Sequence, residues 1–216
     1  MKIVLPSFKI RGAVDGEKIL MSIEEAGRTC YKSESRITST SSAKFVANLI
    51  KSGHESVLEH ESISVNIICD RGVSHELVRH RIASYSQESI RYCNYMTDKF
   101  ADDLTFIKPC FWQENSEKYK IWKSGMMIAE DTYSMLIRDG ATPQEARAVL
   151  PNSIKTEVVC TMNLRAWRNF FNLRALGTMG KPHPQMKEIA LPMLYEFHKQ
   201  VPVVFDDLIE KINLLT

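Results

Sequence analysis

The chain has 216 residues, 44% of them hydrophobic and 25% charged, which is the composition of an ordinary globular protein with a sizeable core. Its formal net charge of +2 argues against a general attraction to nucleic acid, so any cationic function must be local. The 5 cysteines form no CxxC pair and indicate reduced thiols. The first residues are too charged for a signal peptide and no apolar run approaches membrane length, so we expect a cytoplasmic protein without a membrane partner.

The first half of the chain shows hydrophobic periodicities of both strands and helices. In chain order they predict a strand over 2–10, helices over 16–32 and 40–51, a strand over 62–69 and a short helix from about Ser74. The short helix is expected to end near Arg79–Arg81. The sequence SYSQES at 84–89 then predicts a polar loop.

The second half contains the clearest helix, over 117–139, which has large apolar residues on one face and ends before Gly140. Residues 142–145 (TPQE) form a capping box with proline at the first helical position, so the next helix should carry Arg147. Pro151 should break that helix. The later elements are a strand over 154–162, a helix from about Asn163 and a helical segment over 185–199.

The order of these elements defines the expected fold class. Strands and helices mix without regular βαβ alternation, which predicts an α+β fold with helices packed on a largely antiparallel central sheet. No repeat, low-complexity segment or long linker divides the sequence. We therefore expect a single domain over 1–216.

The segment RHRIASYSQESIRY at 79–92 contains the strongest functional signal. Its cationic and polar side chains belong to Arg79, His80, Arg81, Arg91, Ser84, Ser86, Gln87 and Ser89. Guanidinium groups bind phosphates bidentately, and hydroxyls and amides can bind the rest of an anionic ligand. From charge alone, a phosphate-type ligand and a surface ion-pair network with Glu76 and Glu88 are both open.

The helix predicted after Asn163 carries a second signal. Trp167, Phe170 and Phe171 form an apolar stripe with Arg174 in its middle. The opposite face is polar and is usually only solvated; it consists of Arg165, Arg168, Asn169 and Asn172. A guanidinium on an apolar face needs acceptors, so Arg174 faces a bound anion, extends to solvent or pairs with an internal carboxylate such as Glu157.

Three further candidate sites have weaker support. The histidines of GHESVLEH at 53–60 do not share a helical face, so we expect no metal site but a turn that directs His54 and Ser56 toward a cofactor. Cys110 is expected to be structural. Ser89 lacks an identifiable Asp–His relay and is expected to bind a ligand by hydrogen bonds. Neither GxGxxG nor GxxxxGK[ST] occurs.

The spacing of Arg79-His80-Arg81, Ser89 and Arg91 resembles the signature of the flavin-dependent thymidylate synthases. Three segments add to the similarity: 53–60, 145–151 (EARAVLP) and 163–174 (NLRAWRNFFNLR). The resemblance implies a methyltransferase that converts dUMP to dTMP with methylenetetrahydrofolate as one-carbon donor and FAD, reduced by NADPH, as hydride source. It also implies a homotetramer with active sites at subunit interfaces, and no enzyme nucleophile.

The resemblance also assigns ligands to individual residues. Contacts to FAD are implied for His54, Ser56, Arg79, His80, Arg81, Gln87, Asn163, Arg165 and Asn169. Contacts to dUMP are implied for Glu76, Arg79, Gln87, Glu88, Ser89, Ile90, Arg91, Arg147 and Arg174. Arg174 is further implied as the catalytic residue, which polarises the uracil and activates carbon 5. Position 87 is Gln where some family members have Glu.

Two alternatives remain open at this point. A related flavin-dependent enzyme acting on another pyrimidine nucleotide would share the same motifs. A nucleic-acid-binding module could use Arg79–Arg91 and the RAWR stretch at 165–168, but such modules usually have a basic surface and stacking aromatics. The near-neutral charge therefore leads us to expect no nucleic-acid partner.

Overall fold

The computed structural model describes residues 1–97 and 103–214. Its helices and strands are β1 (Lys2–Val4), β2 (Ser7–Ile10), α1 (Gly16–Thr29), α2 (Ser42–Lys51), β3 (Ser62–Asp70), α3 (Arg71–Leu77), β4 (Ala83–Gln87), β5 (Thr105–Ile107), α4 (Glu117–Arg138), α5 (Pro143–Ala146), β6 (Lys155–Asn163), α6 (Leu164–Phe171), α7 (Pro184–Gln200) and α8 (Pro202–Asn213). Short helical turns lie at Glu34–Arg36, Glu55–His60, Arg147–Val149 and Asn172–Leu176. Within these ranges, no helix is long and apolar enough to cross a membrane.

The described strands form two sheets. A four-stranded antiparallel sheet has the order β2-β3-β6-β4, and β1 pairs in parallel with β5. In β3 the side chains of Ile63, Val65 and Ile67 are buried while the intervening residues are more exposed, as its alternating sequence predicts. The predicted α+β class with a largely antiparallel sheet is therefore confirmed.

The chain divides into two compact units. The first unit consists of Met1–Phe8, Asn66–Arg79 and Tyr85–Val159, and the second consists of Lys9–Val65, His80–Ser84 and Cys160–Thr216. The single domain over 1–216 stays a prediction.

The first unit has a core of aromatic and aliphatic side chains. Tyr95, Phe106 and Tyr133 are buried there, and Trp122 packs against them from the same face of α4 as Tyr133. This confirms the predicted apolar face of α4. The helix ends where Gly140 adopts a φ of +93°, a conformation that glycine reaches without the steric cost of a side chain.

The second unit has an aromatic core. Trp167, Phe170 and Phe171 of α6 pack with Phe197 of α7 and Phe205 of α8, and all five are fully buried. Truncating a buried phenylalanine to alanine typically costs about 3–5 kcal/mol, so this cluster is a major source of stability. The apolar stripe predicted for α6 is confirmed, whereas α8 was not predicted.

Several predicted elements differ from the structure. The helix predicted to carry Arg147 ends at Ala146, so Arg147 lies in the short turn that follows it. The strand predicted over 2–10 is two strands in two sheets, since Pro6 between them has no N–H to donate to a ladder. The short helix starts at Arg71 rather than near Ser74, because the Asp70 carboxylate accepts a hydrogen bond from Val73 N at 2.7 Å and caps it.

The polar loop predicted over 84–89 is wrong, because Ala83–Gln87 is the edge strand β4 beside β6. Backbone pairing continues just beyond it, where Glu88 N donates to the Glu157 carbonyl at 2.8 Å. A short polar strand is stabilised by its neighbour's backbone rather than by its own hydrophobic pattern, and its sequence therefore resembles a loop.

Arg168 is buried in the second unit, which corrects its predicted place on a solvated helix face. Its side chain is 4% exposed and donates to Glu55 at 2.9 Å, to Asp207 at 2.7 Å and to the Val204 carbonyl. Burial alone would lower the pKa of Arg168, but hydrogen bonds and charges from Asp207 and Glu55 raise it above its ordinary value. The cluster links α6 to α8 and to the turn at Glu55–His60.

Replacing Arg168 by methionine should lower the free energy of unfolding by about 3 kcal/mol, because two carboxylates would lose a buried partner. Arg165→Met is the matched control, since Arg165 forms an exposed pair with Glu59 and should cost no more than about 1 kcal/mol. Urea unfolding followed by circular dichroism measures both variants. Equal losses would contradict a structural role for the buried cluster.

Candidate functional site

The second unit contains a polar cavity of about 430 Å³. Its lining comes from the turn at Glu55–His60, from the chain just before β4 and from the segment 163–172; the residues are Glu55, Glu59, Arg81, Ile82, Asn163, Arg165, Ala166, Asn169 and Asn172. Four residues that the family resemblance assigned to the cofactor therefore meet here: Arg81, Asn163, Arg165 and Asn169.

The start of α6 forms one wall of the cavity. Asn163 caps the helix, since its side-chain oxygen accepts a hydrogen bond from Ala166 N at 2.8 Å. Arg165 extends from the first turn and is held by an ion pair with Glu59, which also lines the cavity. The wall thus combines amide groups, a guanidinium and the positive end of a helix dipole.

The cavity also contains two carboxylates that the sequence analysis missed. Glu55 and Glu59 are four residues apart in the turn at Glu55–His60, and both line the cavity. Their position within GHESVLEH, beside His54 and Ser56, was the available signal. His54 and Ser56 are exposed and are not among the lining residues.

This set of groups defines what the cavity can bind. Guanidinium and amide N–H groups suit phosphate and carbonyl oxygens, and the carboxylates suit ligand hydroxyls. Over residues 1–97 and 103–214, no three His, Cys, Asp or Glu side chains come together as a metal-binding group.

His80 and Arg174 contact each other in the second unit. The Arg174 Nε–H donates to His80 Nε2 at 3.0 Å. Since arginine can only donate, Nε2 is the acceptor and the imidazole is neutral. Burial and the nearby charge of Arg174 lower the pKa of His80 to about 4. Two residues that the resemblance assigned to different ligands are therefore direct neighbours.

Arg174 lies in a turn with π-helical bonding that follows α6. Gly177 N donates to the Asn172 carbonyl at 3.0 Å, five residues back, and Gly177 has a φ of +78°. Residues in such a turn advance by less than the 100° of an α-helix, so a projection at 100° per residue does not apply to Arg174. Its side chain is half-buried.

The first unit holds most of the residues that the resemblance assigned to dUMP. These are Glu76, Arg79, Gln87, Glu88, Ser89, Ile90, Arg91 and Arg147. The three arginines are exposed. Arg91 donates through Nε to Gln144 Oε1 at 3.1 Å and lies over the Tyr92 ring.

Glu88 belongs to a hydrogen-bonded network that the sequence did not suggest. Its carboxylate accepts from Tyr95 OH at 2.9 Å and from Lys155 Nζ at 2.7 Å. Burial, together with the charge of Glu88, raises the pKa of Tyr95. Glu157, the carboxylate considered as a partner for Arg174, accepts a hydrogen bond from Asn66 at 2.6 Å.

Gln87 donates from its amide nitrogen to two buried hydroxyl groups. Nε2 lies 2.9 Å from Ser74 Oγ and 3.1 Å from Thr156 Oγ1. The Ser74 hydroxyl itself donates to the Arg71 carbonyl at 3.0 Å, so it can only accept from residue 87. A glutamine satisfies this requirement, whereas an ionised glutamate does not.

Comparisons with known proteins agree along most of the chain. A family model described as thymidylate synthase complementing protein matches residues 17–203, which include parts of both units. The flavin-dependent thymidylate synthase of Geobacter sulfurreducens is 33% identical over 189 residues, covering 84% of this chain and 78% of that protein. Its counterpart in Pyrococcus furiosus is 35% identical over 175 residues, covering 81% and 70%.

Solved structures show the same fold. The crystal structure of a UMP/dUMP methylase, PolB from Streptomyces cacaoi, bound with 5-Br dUMP, has a TM-score of 0.79 and covers 95% of this chain and 96% of its own. At 20% sequence identity this likeness concerns the fold alone.

Fold and sequence together define a flavin-dependent enzyme of nucleotide metabolism. The chain belongs to the flavin-dependent thymidylate synthase family. The predicted family, the methyltransferase class and the dependence on a flavin are thereby confirmed.

Gln87→Glu should lower the free energy of unfolding by about 1–2 kcal/mol, because a carboxylate would lose the hydrogen bond to Ser74 and place a charge against buried hydroxyls. Gln144→Glu is the control, since exposed Gln144 accepts from Arg91 and a carboxylate can do the same. It should change stability by no more than about 0.5 kcal/mol. Denaturant titration at neutral pH compares the two variants. An unchanged free energy of unfolding in Gln87→Glu would contradict the assignment of Gln87 as a hydrogen-bond donor.

The free energy of unfolding of the flavin-free protein should fall as the pH is lowered from 6.5 toward 4, because His80 has a lowered pKa in the folded chain. Its pKa is about 4 in the folded chain and 6.5 ordinarily, so the unfolded chain binds the proton more tightly. The stabilisation is complete above pH 6.5 and is lost progressively toward pH 4. Between pH 7 and pH 5 the loss amounts to about 2 kcal/mol.

His80→Gln should remove this component, which is measured as the difference in unfolding free energy between the two pH values. His60→Gln, which replaces an exposed histidine of the same unit, serves as the control. It should show the same difference in unfolding free energy as the unsubstituted protein. An unchanged difference in His80→Gln would show that groups other than His80 cause the loss of stability at low pH.

Proposed function

We propose that the protein converts dUMP to dTMP, with methylenetetrahydrofolate as one-carbon donor and FAD, reduced by NADPH, as hydride source. The observation that supports this most strongly is the polar cavity in which Arg81, Asn163, Arg165 and Asn169 meet. These residues come from two separate motifs of the family resemblance, and the second unit brings them to one place. The proposal includes a homotetramer located in the cytoplasm.

The cavity suits part of an FAD molecule. Arg81 and Arg165 can bind diphosphate oxygens, while Asn163 and Asn169 can bind polar atoms of the sugar chain or ring. Glu55 and Glu59 supply acceptors for hydroxyl groups. The proposed contacts to FAD are His54, Ser56, Arg79, His80, Arg81, Gln87, Asn163, Arg165 and Asn169.

The proposed dUMP contacts are chemically matched to a nucleotide monophosphate. They are Glu76, Arg79, Gln87, Glu88, Ser89, Ile90, Arg91, Arg147 and Arg174. Exposed guanidiniums such as Arg91 can grip the phosphate bidentately. The amide nitrogen of Gln87 is bonded within the protein, so its carbonyl oxygen is the atom proposed to face a ligand.

The chain's own residues bind, orient and stabilise charge in this reaction. When bound, FAD supplies the hydride chemistry. The guanidinium of Arg174 would lie beside the uracil and favour loss of its ring N–H proton, which raises the electron density at carbon 5. His80, as a neutral neighbour, does not cancel that positive charge. A side-chain nucleophile forms no part of the proposal.

Arg174→Ala should lower dTMP formation by roughly a hundredfold or more while FAD still binds, because it removes a charge needed mainly in the transition state. Arg174→Lys should restore little, since an ammonium cannot reproduce the planar fork. Arg36→Ala, at an exposed site outside the proposed contacts, is the control.

Chromatographic assay of dTMP and a flavin absorbance titration provide the two readouts, with UMP tested beside dUMP as a competing substrate. Failure of the unsubstituted protein to bind FAD or to form dTMP would refute the proposed function. Preference for UMP would support the alternative of another pyrimidine nucleotide. Full activity of Arg174→Ala would refute only the catalytic role of that residue.

A further inference from the structure

We infer that His80 is a positioning residue that holds the guanidinium of Arg174 in the orientation needed at the substrate. The family resemblance assigned His80 to the flavin and Arg174 to dUMP, with no connection between them. This inference rests on the proposed function, because it matters for turnover only if Arg174 acts on the nucleotide.

The contact is made at the atom of Arg174 that best controls the orientation of the guanidinium. Nε–H donates to His80 Nε2 at 3.0 Å, from residues 94 positions apart. Nε, the central carbon and both terminal nitrogens share one plane, so a bond at Nε fixes the direction in which the terminal N–H groups point. Fixing a mobile arginine side chain in one conformation costs about 2 kcal/mol of conformational entropy. The contact with His80 orders part of the side chain before substrate binds.

His80 is itself held rigidly enough to orient another side chain. It is 8% exposed, and its ring meets Phe170 at a centroid distance of 5.0 Å and an angle of 70°. Phe170 is fully buried and packs edge-on against Trp167 at 5.5 Å. The imidazole therefore packs against the buried aromatic core of the second unit, and this core supports the side chain that contacts Arg174.

A neutral acceptor is suited to this role because it orients the guanidinium without pairing with its charge. Burial and the charge of Arg174 lower the pKa of His80 to about 4, which keeps the imidazole neutral at physiological pH.

The decisive comparison is between His80→Leu and His80→Gln in the FAD-loaded protein. Leucine removes the acceptor, whereas the glutamine side-chain oxygen reaches nearly the same point as Nε2. We expect kcat for dTMP formation to fall at least tenfold in His80→Leu, because the guanidinium of Arg174 would lose its acceptor and be displaced. In His80→Gln the acceptor is retained, and kcat should fall less than threefold. The Kd for FAD is measured in both variants by absorbance titration, so that kcat is compared at saturating FAD.

A role of His80 in flavin binding alone would give a different result. A large rise in the Kd for FAD in His80→Leu, with kcat retained at saturating FAD, would overturn the inference in favour of flavin binding. Equal losses of kcat in both variants would also overturn it, because the acceptor would then be irrelevant.

Arg174→Ala, assayed in parallel, separates this inference from the proposed function. If Arg174→Ala is impaired while His80→Leu keeps the original kcat, the positioning role fails and the proposed function stands. If Arg174→Ala is fully active, the catalytic role of Arg174 is refuted, and the positioning role of His80 is refuted with it. Should His80→Leu not fold, His80→Met replaces it; failure of both to fold while His80→Gln folds would show that His80 serves the structure only.

Discussion

The segment from Asn163 to Leu176 must bury three aromatic rings while supplying two guanidiniums with hydrogen-bond partners, and much of the second unit follows from this constraint. Arg168 is surrounded by carboxylates from the turn at Glu55–His60 and from α8, which fixes α6 against both. Arg174, in the turn that follows, donates through Nε to a neutral imidazole. The first arrangement compensates the charge of a buried guanidinium, and the second orients a guanidinium through its Nε–H.

Glu55 connects the stability of the second unit to its candidate site. The same carboxylate accepts from Arg168 and lines the polar cavity. A substitution there would therefore remove a buried ion-pair partner and change a cavity wall together. The exposed pair of Arg165 and Glu59 at the same cavity is screened by water and contributes mainly to the position of the arginine.

In the first unit, the direction of hydrogen-bond donation explains the residue types at the end of β4. Ser74 donates its hydroxyl to a backbone carbonyl, so residue 87 must supply a donor, and an amide does so. Glu88, next in the chain, needs donors instead and receives them from Tyr95 and Lys155. The amide at position 87, where some family members have Glu, therefore matches the acceptors that surround it.

The sequence by itself determined the family, through the spacing of residues 79–91, and the elements with strong local signals, such as α4 and the capping box before α5. Local periodicity and capping act over a few residues, and a sequence displays them directly. Only the tertiary structure decided that β4 is a strand, that Arg168 is buried and that His80 meets Arg174. Each of these depends on partners far away in the chain, and a helical projection contains no information about such partners.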